Sequence, residues 1–194
     1  MPMLGLAQSV LVVIDMQERF YGALGDADAA RLANVVERVA WLAAAATALG
    51  VPALVTEEDP EHNGPTEKAI LRALPRDVPR LTKPVFGLGD VPEILAALEA
   101  TGRRQVVLAG METDVCVAHS AIGLVDRGYC VVVAADAVFA PSEVHDHGLR
   151  RIAAAGAGLV HAKGIYYEWV RTLDAARAFE AANEGLRQPP GFEL

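Results

Sequence analysis

Cys116 lies where the sequence changes from a buried strand to a helix, and a thiol in that place can act as a nucleophile. The preceding run Gln105–Ala109 is short, apolar and β-branched, which is typical of an inner strand. The segment 115–126 has apolar side chains at helical spacing and ends before Gly128. The thiol therefore lies in the first turn of a predicted helix, where free N–H groups and the helix dipole favour the thiolate. The alternative is that Cys116 is a small buried hydrophobic residue at a helix start.

Two further side chains could complete a nucleophilic site. Asp15 ends the apolar run Ser9–Ile14, and its carboxylate can accept the thiol proton. Lys83 precedes Pro84, which biases the lysine toward an extended backbone and suits a side chain projecting from a strand end. A buried ammonium beside a carboxylate and a thiol stabilises both anionic forms. Taken singly, Lys83 also fits a solvated surface lysine, and Asp15 also fits a helix cap or a turn.

Strands and helices alternate along the chain in a way that brings these residues together. The pattern predicts a three-layer, Rossmann-like α/β fold, with helices on both faces of a six-stranded parallel sheet. In the common strand order 3-2-1-4-5-6, the first and fourth strands are neighbours, and ligands bind beyond their carboxyl ends. Asp15 ends the first strand and Cys116 follows the fourth. The predicted strands are 9–14, 52–56, 81–86, 105–109, 129–135 and 158–162, and the predicted helices are 26–49, 67–74, 91–100, 115–126, 142–155 and 168–186.

Length and composition indicate an ordinary globular protein. The chain has 194 residues, of which 53% are hydrophobic and 22% are charged, so we expect residues 1–194 to form a single domain. The formal net charge is −8, and no cluster of Lys and Arg is visible. This charge argues against a nucleic-acid or membrane partner and favours a small-molecule substrate.

Cysteine usage and the N-terminus predict a reducing, cytoplasmic location. The chain has two cysteines, Cys116 and Cys130, too few for a disulfide framework or a paired-cysteine metal site. Cys130 lies in an apolar run, which favours a core thiol there. The N-terminal residues MPMLGLAQS lack the features of a signal peptide. The apolar stretch 39–55 contains Gly50 and Pro52, which favours a helix, a turn and a strand over a membrane span.

A dinucleotide-binding protein would share this topology but needs a glycine-rich phosphate loop after the first strand. Here that place is occupied by the residues DMQERF, and the first glycine after the strand is Gly22. The pair Gly87 and Gly89 is isolated, and the chain has no phosphate-loop motif. We therefore predict no nucleotide cofactor.

Three segments in fixed order resemble the isochorismatase-like cysteine hydrolases, a family that includes nicotinamidase and N-carbamoylsarcosine amidase. They are IDMQERF at 14–20, LTKPVFG at 81–87 and GMETDVCVAHSA at 110–121. The similarity runs from about Val10 to about Ala162 and includes a DAV segment at 136–138. Each motif alone is weak, but the set is specific.

The resemblance implies a catalytic triad and an oxyanion hole. Asp15 would be the general base, Lys83 its cationic partner and Cys116 the nucleophile. A cis peptide bond between Met111 and Glu112 would direct the backbone N–H groups of Glu112 and Cys116 toward the oxyanion. The implied reaction is hydrolysis of a C–N bond, of the amide or carbamoyl type, through a thioester acyl-enzyme.

Two other functions are compatible with the same residues. A catalytically silent member could bind a ligand or a protein partner through the same crevice, and Cys116 could instead be a redox-sensing thiol. The resemblance also implies a homo-oligomer, a dimer or larger. Tyr166, Tyr167 and Trp169, together with the tail after Gln188, are candidates for subunit contact, although a core or disordered role is equally compatible.

This chain departs from nicotinamidase in the region of the metal ligands. Nicotinamidases hold a divalent metal with Asp-x-His and a further His, whereas here Asp59 and His62 have the wrong spacing and lack a second histidine. His145 and His147, two apart on a helix, point to different sides. We therefore predict no metal.

The segment VTEEDPEHNGPT at 55–66 looks closer to the branch with the mitochondrial isochorismatase-domain proteins. Isochorismatase itself cleaves a vinyl ether without needing a cysteine, so Cys116 points to a different reaction. Six residues are candidates for the substrate pocket, although core packing or plain exposure would explain each of them equally well. They are Gln17, Phe20, Glu58, Phe86, Met111 and His119.

Overall fold

Six parallel strands form the sheet at the centre of the protein. They were identified in a computed structural model that describes residues 2–186 and Pro190. The strand order is β3-β2-β1-β4-β5-β6, and the neighbouring strands pair in parallel. The predicted sheet order is therefore confirmed. The strands are β1 (Ser9–Ile14), β2 (Ala53–Glu58), β3 (Arg80–Lys83), β4 (Gln105–Met111), β5 (Cys130–Phe139) and β6 (Gly158–Val160).

Helices cover both faces of this sheet, as predicted. Alternate residues of β1 point to opposite faces, so Leu11 and Val13 belong to one apolar cluster and Val10 and Val12 to the other. The first cluster includes residues of α1, α3, α7 and α8, and the second includes residues of α4, α5 and α6. The helices are α1 (Asp26–Ala48), α2 (Pro60–Asn63), α3 (Lys68–Ala73), α4 (Pro92–Ala100), α5 (Ala118–Asp126), α6 (Val144–Ala154), α7 (Ala162–Val170) and α8 (Leu173–Ala182). Across residues 2–186 and Pro190, none of these helices is long and apolar enough to cross a bilayer.

The prediction of one helix over 168–186 is wrong, because the chain forms two helices there. Arg171 has a left-handed backbone (φ 64°), and the Thr172 hydroxyl accepts a hydrogen bond from the Ala175 N–H at 3.2 Å. A helix cap therefore begins α8 inside a segment whose apolar spacing looks continuous. The tail after Gln188, predicted as a candidate for subunit contact, lies outside the described part of the chain except for Pro190.

The aromatic residues near this break belong mostly to the core. Tyr166 is 1% exposed and Trp169 is 3% exposed, and the Trp169 indole donates to the Ser9 hydroxyl at 3.0 Å. Tyr167, at 37% exposed, is the most exposed member of this group.

Some strand boundaries also differ from the predictions. β5 continues to Phe139 through the DAV segment, where its pairing with β4 shifts register between Leu108 and Gly110. β3 ends at Lys83 rather than at Phe86, because Pro84 has no N–H to donate to a strand ladder. The short helix α2 lies between the predicted strand 52–56 and the predicted helix 67–74, where the sequence pattern predicts neither a helix nor a strand.

Candidate active site

Asp15, Lys83 and Cys116 meet at the carboxyl edge of the sheet, where the strand order reverses between β1 and β4. The Lys83 Nζ atom lies 2.6 Å from Asp15 Oδ2 and 3.4 Å from Cys116 Sγ. Asp15 and Lys83 are fully buried, and Cys116 is 2% exposed. The structure thus brings together three residues from distant parts of the sequence, as the predicted topology requires.

Asp15 is positioned by a sharp change in the backbone at the end of β1. It has a left-handed backbone (φ 50°), and its N–H donates to the Thr56 carbonyl at 3.0 Å. The Thr56 hydroxyl donates to Asp15 Oδ1 at 2.9 Å. Gly110 of β4 lies so close that an added Cβ would come within 2.0 Å of the Ile14 carbonyl oxygen. The β1–β4 edge therefore needs a glycine next to the carboxylate.

Lys83 reaches the site across the end of β2. It ends β3 and pairs in register with Glu58, the last residue of β2. The ammonium donates to the Val85 carbonyl at 3.2 Å and forms an ion pair with Glu58 Oε2 at 3.2 Å. Four oxygen or sulfur partners thus surround one buried cation, which satisfies its charge in a site without solvent exposure.

Cys116 lies in a π-helical turn, Thr113–Val117, that precedes α5. The turn closes when the Val117 N–H donates to the Glu112 carbonyl at 2.9 Å. The peptide bond between Met111 and Glu112 is cis, as the family resemblance implies. The Ser120 hydroxyl, one turn further along the helix, donates to the Cys116 carbonyl at 2.5 Å.

Two neighbours that the sequence patterns did not indicate hold this turn in place. The Tyr21 hydroxyl donates to Glu112 Oε1 at 2.9 Å, which fixes the residue after the cis bond. Gly148 of α6 packs against the turn so closely that an added Cβ would lie 2.7 Å from the Asp114 Cα atom. Neither contact has a local sequence signal, because each joins segments that are distant along the chain.

Opposing influences act on the pKa of the Cys116 thiol. Burial raises the pKa of Cys116, the Asp15 carboxylate raises it further, and the Lys83 ammonium opposes the rise. The raised pKa favours the protonated thiol, whereas the sequence predicts that the helix terminus eases its ionisation. The causes of the rise are tertiary, because they are desolvation and the nearby carboxylates.

The charges of Asp15 and Lys83 support each other. Burial raises the pKa of Asp15, and the adjacent ammonium limits that rise. Burial alone would lower the pKa of Lys83, but the Asp15 carboxylate outweighs burial, so the pKa of Lys83 is raised. The raised pKa of Lys83 favours its charged form, and the carboxyl groups of Asp15 and Glu58 both lie within 4.8 Å of the thiol.

Glu58 contacts the nucleophile directly. Its Oε2 atom accepts a hydrogen bond from the Cys116 thiol at 3.3 Å and pairs with Lys83 on the same oxygen. The Glu58 side chain is 25% exposed, whereas the Lys83 side chain is 0% exposed. Glu58 therefore separates the buried thiol from solvent.

A cavity of about 680 Å³ opens on the solvent side of Glu58 and Lys83 and is also lined by Phe86. Phe86 is 51% exposed, and its ring meets the exposed His119 ring edge-on at 6.0 Å. Of the six pocket candidates, Glu58 and Phe86 line this cavity, and His119 flanks it.

The other three candidates lie elsewhere. Gln17 and Met111 line a second cavity, of about 560 Å³, next to α1. The Gln17 amide donates to the carbonyls of Glu58 and Gly64 at 3.0 and 2.7 Å, so it braces the loop after β2. Phe20 packs against the apolar core and against the Tyr21 ring at 5.4 Å.

Asp15, Glu58 and Cys116 present ligand atoms within 4.8 Å of one another, a spacing that could hold a metal ion. The Lys83 ammonium, however, already contacts all three groups. A divalent cation in that place would be repelled by the lysine, so these residues do not fit a metal site. His62 instead pairs with Asp59 at 2.8 Å on the surface.

Comparisons with known proteins agree with this fold. The isochorismatase domain family matches residues 9–163. Isochorismatase domain-containing protein 2 of Xenopus laevis is 33% identical over 164 residues, which cover 84% of this chain and 76% of the relative.

Solved structures share the architecture over nearly the whole chain. The MAR1 ribonuclease from Caenorhabditis elegans is 24% identical with a TM-score of 0.84, covering 100% of this chain and 98% of that one. The Escherichia coli YcaC gene product, an octameric hydrolase of unknown specificity, is 23% identical with a TM-score of 0.84. The match covers 97% of this chain and 92% of that one. At these identities the two structures show the fold alone.

The family match includes the strand end that carries Asp15, the strand end that carries Lys83 and the turn that carries Cys116. With the curated relative and the shared fold, it establishes what kind of protein this is. The chain is a member of the isochorismatase family of hydrolases.

Proposed function

We propose that this protein is a metal-free cysteine hydrolase that cleaves an amide or carbamoyl-type C–N bond in a small molecule. The observation that carries the proposal is the buried contact of one ammonium with a carboxylate and a thiol. Lys83 Nζ lies 2.6 Å from Asp15 and 3.4 Å from Cys116. The adjoining cavity, of about 680 Å³, has the volume of a small-molecule site.

In the first half-reaction, Cys116 gives its proton to Asp15 and the sulfur forms a bond to the substrate carbonyl carbon. The negative charge moves to the carbonyl oxygen, where the backbone N–H groups of Glu112 and Cys116 would bind it. Asp15 then passes the proton to the leaving nitrogen as the C–N bond breaks. The products are a free amine or ammonia and a thioester on Cys116.

In the second half-reaction, Asp15 takes a proton from water while the water oxygen attacks the thioester carbon. The same backbone donors bind the second oxyanion. The sulfur leaves as the C–S bond breaks and recovers the proton from Asp15. Lys83 stays charged throughout and stabilises whichever of its two partners is the anion.

Ammonia release from a panel of primary amides, carbamoyl compounds and ureido acids tests the proposal. We expect Cys116→Ala to abolish release and Cys130→Ala to retain it, because Cys130 lies on β5 away from the triad. Mass spectrometry of the intact protein should detect an acyl adduct on Cys116 during turnover. Ammonia release that persists in Cys116→Ala would overturn the mechanism. Ligand binding with no turnover across the panel would favour the catalytically silent alternative.

We also propose that residues 1–194 form one hydrolase domain that assembles as a homo-oligomer in the cytoplasm. The E. coli structural neighbour is an octamer, and both cysteines of this chain are free thiols, which fits a reducing compartment. Light scattering coupled to size-exclusion chromatography tests the assembly, and a monomer at all concentrations would contradict it.

We do not extend the ribonuclease activity of the C. elegans neighbour to this chain. RNA binding depends on neutralising phosphates with Lys and Arg, whereas this chain has a net charge of −8. The cavity beside the triad also has Glu58, Asp59 and Glu61 in its lining, and these carboxylates would repel a polyanion.

A further inference from the structure

We infer that Glu58 is a specificity-determining residue that selects substrates with N–H donors or a positive charge beside the scissile carbonyl carbon. It would correspondingly select against substrates with a carboxylate in that place. The inference rests on the proposed cysteine hydrolase function and deepens it by naming the substrate class.

The first support is the placement of the carboxylate. Glu58 Oε2 lies 3.3 Å from the Cys116 Sγ atom and is part of the wall of the cavity. Cys116 is not in the lining of this cavity, so a substrate held there reaches the thiol through Glu58 and Lys83, the two lining residues that contact it. Glu58 is the acceptor of the two, and its carboxylate is not fully buried. The polar groups of such a substrate near the scissile bond must therefore hydrogen-bond to a carboxylate, which accepts and does not donate.

The second support is the rigidity of the backbone that carries this side chain. The Glu58 N–H donates to Gln17 Oε1 at 2.8 Å. The Glu58 carbonyl accepts from the side chains of Gln17 and Asn63 at 3.0 and 2.9 Å. Three hydrogen bonds thus fix the backbone at the end of β2, and contacts with Lys83 and Cys116 hold the carboxylate beside the thiol.

The third support is the balance of charge. The Lys83 ammonium serves two carboxyl groups, Asp15 at 2.6 Å and Glu58 at 3.2 Å. Asp59 and Glu61 add further acidic groups to the lining of the same cavity. An anionic group beside the scissile carbon would meet this excess of negative charge, whereas N–H donors or a cation would be attracted to it.

Charged thiol reagents measure this selection without requiring a known substrate. Methanethiosulfonate reagents react with a thiolate, which displaces methanesulfinate and forms a mixed disulfide. The aminoethyl reagent is cationic and the sulfonatoethyl reagent is anionic. The experiment uses the full chain with Cys130→Ala, so that Cys116 is the thiol that reacts. The rate of each reagent with Cys116 is divided by the rate of the same reagent with a small free thiol.

We expect the cationic reagent to modify Cys116 faster than the anionic one, and Glu58→Gln to lower that rate ratio by about tenfold. Any change in the pKa of Cys116 cancels in the ratio, because both reagents attack the same thiolate. Glu57→Gln is the matched control. Its carboxylate instead accepts from the N–H and the hydroxyl of Thr66 at 2.9 and 2.8 Å, so the ratio should stay within about twofold of the parent.

A ratio that is unchanged in Glu58→Gln, or that falls equally in Glu57→Gln, would overturn the inference. The hydrolysis panel separates this failure from failure of the proposed function. A ratio that shifts in Glu58→Gln without any ammonia release would support the selection by Glu58 and contradict the proposed function. Hydrolysis that prefers carboxylate-bearing substrates in both the parent and Glu58→Gln would support the proposed function and contradict the selection by Glu58.

Discussion

Replacing Lys83 by Met would expose how much the buried ion pair contributes to stability. Lys83 and Asp15 have fully buried side chains, with Nζ 2.6 Å from Oδ2. Met keeps the apolar stem and approximate length of Lys but leaves the Asp15 carboxylate without its ammonium. Removing one partner of a buried ion pair costs about 3–5 kcal/mol. We expect a loss of this size in the free energy of unfolding at about pH 7.5, together with loss of hydrolysis.

The loss should depend on pH in a defined direction. Burial raises the pKa of Asp15 from its ordinary value of 3.8, and Lys83 opposes the rise, so the variant raises that pKa further. Below the ordinary pKa, Asp15 is protonated in the folded and the unfolded chain, and no buried charge remains. As pH increases, the unfolded chain ionises first, so stability falls until the folded-state pKa is passed. The loss in the free energy of unfolding caused by Lys83→Met should therefore be small at about pH 4 and largest at neutral pH.

Urea unfolding at several pH values, followed by fluorescence of the buried Trp41 and Trp169, measures this deficit. Lys68→Met is the control, because Lys68 is 76% exposed and pairs with Glu18 at 3.4 Å. We expect it to cost well under about 1 kcal/mol. Asp15→Asn added to Lys83→Met should recover part of the stability. Equal stability of Lys83→Met and the parent at neutral pH, or a deficit independent of pH, would refute the reasoning.

Three smaller perturbations test how the site is held. Gly148→Ala should push α6 away from the turn Thr113–Val117 and lower the free energy of unfolding in urea by about 1–3 kcal/mol. Gly123→Ala in α5 is the control, because the added Cβ would lie no closer than 3.7 Å to a neighbouring atom, and it should be neutral or stabilising. An equal loss of stability in both variants would contradict this account. Thr56→Val removes a hydrogen bond to the Asp15 carboxylate, which raises the pKa of Asp15 further. The acidic limb of the profile of kcat/KM against pH should therefore move to higher pH by about one unit. A limb that does not move would argue against Asp15 as the base. Tyr21→Phe should lower kcat by about 3–10-fold with little change in Tm, and an unchanged kcat would remove Tyr21 as a positioning residue.

The positions of Asp15 and Cys116 at the carboxyl edge of the sheet and the order of its strands could be predicted from the sequence. The apolar runs that end at Asp15 and at Ala109 indicate strands buried on both faces, and their alternation with helices indicates a parallel sheet. Parallel strands place their carboxyl ends at one edge, so Asp15 and Cys116 had to meet. The interpretation of Lys83 depended on the family resemblance as well as on its place at a strand end, because a lysine before a proline is not by itself diagnostic.

The contacts of Glu58 could not be predicted in this way. The sequence offers Glu57 and Glu58 as adjacent carboxylates, and successive residues of a strand point to opposite faces. Register alone decides that Glu58 reaches the thiol while Glu57 bonds to Thr66. The raised pKa of Cys116 could not be predicted either, because the helix dipole is a local property whereas burial and nearby carboxylates are tertiary ones.

The linear order of residues by itself determined which segments form strands, which residue types could do chemistry and which edge of the sheet would carry them. These follow from local periodicity and from the handedness of the crossovers. Only the tertiary structure decided which carboxylate contacts the sulfur and that one buried lysine pairs with two acidic groups. It also decided that Tyr21 and Gly148 hold the turn Thr113–Val117 in place. Such contacts join residues far apart in the chain, and their distances depend on packing that no short segment encodes.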